Sequence, residues 1–123
     1  MCAAGTDRPF SYTFASIAAR SSFIDENQQL AADIVSAVVA TQKALKQDVN
    51  RAREVGSKLF PSAQAALITD VVRRDLPFYD AAISNNAVDG LSRFARKRGL
   101  IEIDLAYDEV VATDVQDLWN STP

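Results

Sequence analysis

The stretch from Leu30 to Lys46 reads LAADIVSAVVATQKALK and contains neither Gly nor Pro. Leu30, Ile34, Val38 and Leu45 recur near the helical period, and Ala31, Val35 and Val39 lie beside them. So wide an apolar stripe belongs to a helix covered by neighbours on more than one side. Frequent Ala, the best helix former, offsets the β-branched Val and Ile. Asp25 with Gln28 makes a capping-box pattern at the start, with Asn27 as a competing first residue. A chain of 123 residues suits one domain, and other helices are expected to dock on this one.

The remaining elements follow from caps and stops. Asp48 is a good cap for the next helix, which places Val49, Ala52, Val55 and Leu59 on one face and uses Gly56 for close approach. Pro61 stops it. Ser62 opens a helix to about Asp75 with Ala66, Leu67, Val71 and Val72 inward, and Leu76-Pro77 ends it. Ser84 caps a further helix, with Ile83 and Val88 as a hydrophobic staple. Its expected buried stripe is Ala87, Leu91, Phe94 and Ala95. Gly90 costs about 1 kcal/mol relative to Ala inside a helix, which marks a close contact. Arg96, Lys97 and Arg98 favour the negative end of the helix dipole. Gly99 suits a left-handed residue after the helix, with Leu100 packing back on Ala95.

Residues 100–106 alternate apolar and acidic, an extended pattern, and Tyr107 to Ala112 can form one turn. Thr113 with Gln116 opens a last helix anchored by Leu118 and Trp119. Ser22 to Asn27 reads as a helical turn or tight corner. Phe10 to Arg20 is ambiguous, helical alone and a strand if a sheet receives it. The expected fold is mainly α: five to six helices, near 28–47, 49–60, 62–75, 84–98 and 113–120, with at most a short N-terminal strand. Residues 1–9 form a loose lead-in and 10–123 a single helical domain.

Composition narrows the chemistry. No His is present, which removes the usual general base near neutral pH and the commonest metal ligand. Cys2 is alone, so no internal disulfide forms. No apolar run approaches the ~20 residues of a membrane span. The net charge of −3 speaks against a general nucleic-acid binder. That charge is uneven. Residues 51–99 carry 9 basic and 5 acidic side chains, and residues 100–123 carry 0 and 6. The tail either lies back on the basic middle or stays separately solvated.

Four clusters invite a functional reading. Glu102, Asp104, Asp108 and Glu109 offer the oxygen ligands of a hard cation, but their spacing fits no recognised loop and a solvated surface accounts for them better. Arg93, Arg96 and Lys97, with Arg73 and Arg74, could receive an anion, or simply form a solvated face. Phe78 and Tyr79 either line a partner surface or enter the core. Asn120-Ser121-Thr122 matches a glycosylation acceptor pattern, which is expected to be a chance match because no secretory signal is visible in the sequence. No phosphate-cradling glycine loop and no nucleophile with a partnering base are present. The chain is expected not to be an enzyme, and to need no cofactor or metal.

From Tyr12 onward the order of segments FSYTFASIAARSSFIDEN, TQKALKQD, VNRAREVGSKLFP, RRDLPFYD, ISNNAVDGLSRFARKRGLI and YDEVVATDVQDLW resembles the C-terminal part of ABC-transporter solute-binding proteins. The branch is the nitrate, sulfonate and taurine type, with its thiamine-precursor-binding relatives. The usual Asn-Pro opening of the long helix is here Asn27-Gln28. The resemblance implies the C-terminal part of a two-lobe periplasmic α/β fold. It also implies a small anionic or nitrogen- or sulfur-containing solute, enclosed once a second lobe is supplied, and transporter membrane subunits as partners. The family's N-terminal lobe and signal peptide have no counterpart in this sequence. No ligand residue is carried over. The chain is expected to be periplasmic as part of an exported parent, and cytoplasmic as written. The second functional class is a stand-alone helical module that self-associates as a homodimer, through the Phe10–Ile24 segment.

Overall fold

The computed structural model describes residues 15–120, and among these the only regular structure is helical. The α-helices are α1 (Ser21–Glu26), α2 (Gln28–Gln47), α3 (Asn50–Leu59), α4 (Ser62–Asp75), α5 (Asn85–Lys97), α6 (Tyr107–Val110) and α7 (Gln116–Asn120). Two 3₁₀ turns, Leu76–Phe78 and Thr113–Val115, lead out of α4 and into α7. Residues 16–20 are exposed and irregular, so they carry neither the helix nor the strand expected of Phe10–Arg20. Residues 10–14 of that segment, and the lead-in 1–9, lie outside the described residues.

The start of α2 differs from the capping-box expectation. Residues 21–26 make a helix of their own, and Asn27 is the junction. Its amide Nδ2 donates to the Phe23 carbonyl at 3.0 Å, so it satisfies the end of α1 and caps nothing on α2. No side chain caps α2. Asp48 ends α2, and its carboxylate accepts from the Asn50 N–H at 3.0 Å.

The core is small. Val39 of α2, Val88 of α5, and Val111, Val115 and Trp119 of the C-terminal segment form the buried cluster, with Val35, Ile83 and Tyr107 packed against it. The segment from 107 to 120 therefore wraps onto α2. The Tyr107 hydroxyl fixes it by donating to the Ile83 carbonyl at 2.5 Å. Ala81, Ala82 and Ile83 pack against the same cluster, and Asp80 shapes the turn before them by accepting from the Ala82 N–H at 2.9 Å.

Helices α3 and α4 form an antiparallel hairpin that packs chiefly on itself. The Ala65 Cβ lies 3.4 Å from where a Cβ on Gly56 would stand. That spacing explains the glycine, which lets the two backbones approach. Gly56, Ala65 and Thr69 are the buried residues here, and the Thr69 hydroxyl bonds the Ala65 carbonyl at 2.8 Å. The inward face of α4 is thus Ala65 and Thr69. Ala66, Leu67 and Val71, expected inward, are exposed. On α3, Val55 and Leu59 are likewise exposed. The small residues set the contact because they alone allow the close crossing.

Helix α5 is capped as expected. Ser84 Oγ accepts from the Ala87 N–H at 3.2 Å, Val88 is buried and Ile83 packs beside the core. Gly99 has φ +69. The Leu100 N–H bonds the Ala95 carbonyl and the Gly99 N–H bonds the Arg96 carbonyl, both at 2.9 Å, a complete Schellman closure. The buried stripe, however, is Ala87, Val88, Gly90 and Ser92. Leu91 and Phe94 are 41% and 50% exposed. The first half of α5 reaches the core, and the second half projects beyond it.

Candidate interaction surface

Helix α2 is apolar on two faces, and the described chain covers one. Val35 and Val39 face the core. On the other face Leu30, Ile34 and Val38 remain 48%, 37% and 37% exposed. Their spacing of four aligns them in a row. The same face continues through Ala37, Thr41 and Leu45, with no charged side chain in the row. Thr41 turns its hydroxyl back onto the Ala37 carbonyl at 2.7 Å, which leaves its methyl to the surface.

Toward the end of α2 this face deepens into an open groove of about 260 Å³, lined by Ala37, Val38, Thr41, Gln42, Leu45 and Tyr79. Tyr79 arrives because the 3₁₀ turn Leu76–Phe78, carrying Pro77, redirects the chain after α4. Its neighbour Phe78 is exposed. Of the two aromatics, then, one walls the groove and the other faces solvent. A second open hollow of about 410 Å³, lined by Ile24, Gln28, Gln29, Ala32, Asp114 and Val115, lies where α1 and α2 meet the C-terminal segment.

The hairpin adds a further apolar flank. With Gly56 against Ala65, helical periodicity sets Val55 and Leu59 of α3 on the same side as Ile68 and Val71 of α4.

The charged clusters have structural uses. Arg96 donates to Asp104 at 2.6 Å, which draws the start of the acidic segment to the end of α5. Glu109 accepts from the Ala106 N–H at 2.7 Å and closes the start of α6. Among the described residues no group of three or more Cys, Asp or Glu is arranged to hold a metal ion. Arg73 pairs with Asp70 within α4 at 2.8 Å. Arg74 bonds its neighbour Asp75 at 2.7 and 2.9 Å, and this hydrogen bonding holds the Asp75 carboxyl below the usual carboxylate range. The basic residues 73, 74, 93, 96 and 97 are all exposed. No helix among these residues is long and apolar enough to cross a membrane.

The width of the apolar stripe of α2 was visible in its sequence, but the expected cover on more than one side is not found among the described residues: Leu30, Ile34 and Val38 stay exposed. The arrival of Tyr79 beside the stripe was not visible, because that depends on the direction of the turn after α4. Compared with known protein families, characterised proteins and solved structures, the chain matches none.

Proposed function

We propose that this chain is the C-terminal helical part of a solute-binding component of an ABC transporter, of the nitrate, sulfonate and taurine type, and that it carries out no chemistry itself. The observation behind this reading is the apolar surface left open on α3, α4 and α5 beside a thin core. Val55, Leu59, Leu67, Leu91 and Phe94 are large and exposed, whereas no large side chain is fully buried among the described residues. Extensive exposed apolar surface marks an interaction site, and a second lobe packed there would complete the core. The work of such a component is closure of two lobes around a small solute, with the affinity difference between open and closed forms as the signal. The grooves described above are open on one side, and tight solute sites are enclosed.

The test is to isolate the native product from its own cells with an antibody raised against this chain. The product is then titrated calorimetrically with nitrate, taurine, an alkanesulfonate and a pyrimidine precursor of thiamine. The expected product carries a further lobe and binds at least one of these at micromolar concentration, while the isolated 123-residue chain binds none. A native product consisting of this chain alone and binding none overturns the proposal. So does tight binding by the isolated chain.

A further inference from the structure

We infer that the α3–α4 hairpin is a hinged arm, which swings as one rigid unit on the rest of the chain. The core cluster draws on α2, α5 and the C-terminal segment, with Ala81, Ala82 and Ile83 packed against it. Among the described residues no side chain of α3 or α4 belongs to it. Outside itself the hairpin packs chiefly on its own neighbours in the chain, α2 and the 3₁₀ turn Leu76–Phe78. Inside the hairpin the packing is of another kind. Gly56 lies against Ala65, and Gly56, Ala65 and Thr69 are buried. Close packing of this sort fixes the two helices relative to each other. A contact that is neither large nor hydrophobic leaves two bodies free to move. The tight contact therefore lies within the arm, and the slight one between the arm and the core.

Each connection has a place to bend. Between α2 and α3 the helical path breaks at Asp48, which is extended at φ −151 and ψ 102, while Val49 already has helical angles. Both sides of the break are finished locally. The Asp48 N–H bonds the Ala44 carbonyl at 3.0 Å, and the Asp48 carboxylate accepts from the Asn50 N–H at 3.0 Å. Rotation at Asp48 thus leaves the backbone hydrogen bonds within α2 and within α3 in place. At the other end the 3₁₀ turn gives way to Tyr79, extended at φ −73 and ψ 111, and residues 79–84 are irregular. A few residues at element ends suffice to absorb a hinge rotation. The exposed Val55, Leu59, Leu67 and Val71 ride on the arm, so a swing moves this apolar surface relative to the core. The motion belongs to this chain alone and needs no solute or second lobe, so its test stands apart from the solute titration.

Spin labels on cysteine pairs in the full chain, in a Cys2→Ser background, read the motion as distance distributions by pulsed electron paramagnetic resonance. Arg51→Cys with Gln64→Cys spans α3 and α4. Ser36→Cys with Asn86→Cys spans α2 and α5, which both enter the core. Gln64→Cys with Asn86→Cys spans the arm and the core. All four sites are exposed, and the helical circular dichroism spectrum is expected to stay unchanged. The first two pairs are expected to give narrow distributions. The third is expected to be at least about twice as broad, or split in two, as rotation at a hinge allows. A third distribution as narrow as the others overturns the inference, because the arm is then fixed. A broad first distribution also overturns it, because the hairpin then melts instead of swinging. So does a broad second one, which would make the whole chain loose.

Discussion

Replacing Trp119 by Ala tests whether the C-terminal segment is an integral part of the core. Trp119 is 8% exposed and sits in the cluster with Val39, Val88, Val111 and Val115. An aromatic side chain buries about 150–250 Å², so the indole hides most of that area. At roughly 25 cal/mol per Å² its transfer from water is worth about 4–6 kcal/mol. A compact unfolded state already hides about 10–40% of such area, which brings the figure to about 3–5 kcal/mol. Mutational experience with Trp→Ala in cores gives the same range. A domain of this size is stable by about 5–15 kcal/mol in total, so a large fraction of its stability is at stake.

Beyond the lost area, truncation removes the anchor that holds α7 on α2. Val39 is then exposed, and unfolding becomes less cooperative. The assay is urea denaturation followed by far-UV circular dichroism, because the chain has only this Trp and the variant lacks a fluorescent reporter. Trp119→Phe, which keeps most of the packing, is expected to lose less than half as much. A loss below about 1 kcal/mol for Trp119→Ala, the range of a surface substitution, refutes the assignment of Trp119 to the core and of the tail to α2.

Leu91→Ala and Phe94→Ala are each expected to cost about 1–2 kcal/mol, below the 2–5 kcal/mol of fully buried sites; denaturant midpoints shifted as far as that of Trp119→Ala would contradict the exposed second half of α5. Gly99→Ala forces a Cβ into a left-handed conformation and is expected to destabilise by about 1–2 kcal/mol, read as a lower melting temperature, whereas an unchanged value would mean that the Schellman closure is absent. Asp75 is expected to titrate below a reference Asp in NMR, with Arg74→Gln moving it back up. Its pKa is lowered on folding, so its small contribution is present above the unfolded pKa and fades as pH falls through the folded one. Because the pair lies at the surface, added salt should abolish most of the difference.

Helix positions in this chain are set locally, and so they were legible in its sequence. Pro61 ends one helix, Ser84 caps another, and Gly99 takes the left-handed residue after it; each acts through its own backbone. The anchoring role of Trp119 was legible as well, since so large an aromatic side chain gains more from burial than any other. Which faces are buried was decided by tertiary structure. On α4, periodicity pointed to Leu67 and Val71, but the close approach of Gly56 to Ala65 turned the small residues inward. On α5, the stripe through Leu91 and Phe94 is genuine, yet the core meets Ala87, Val88 and Ser92 instead and leaves Leu91 and Phe94 exposed. The same holds for α2: its sequence announces a wide apolar stripe, but a helical pattern names no neighbour, and part of the stripe stays uncovered. Only the path of the chain after α4 brings Tyr79 alongside and turns part of that face into a recess.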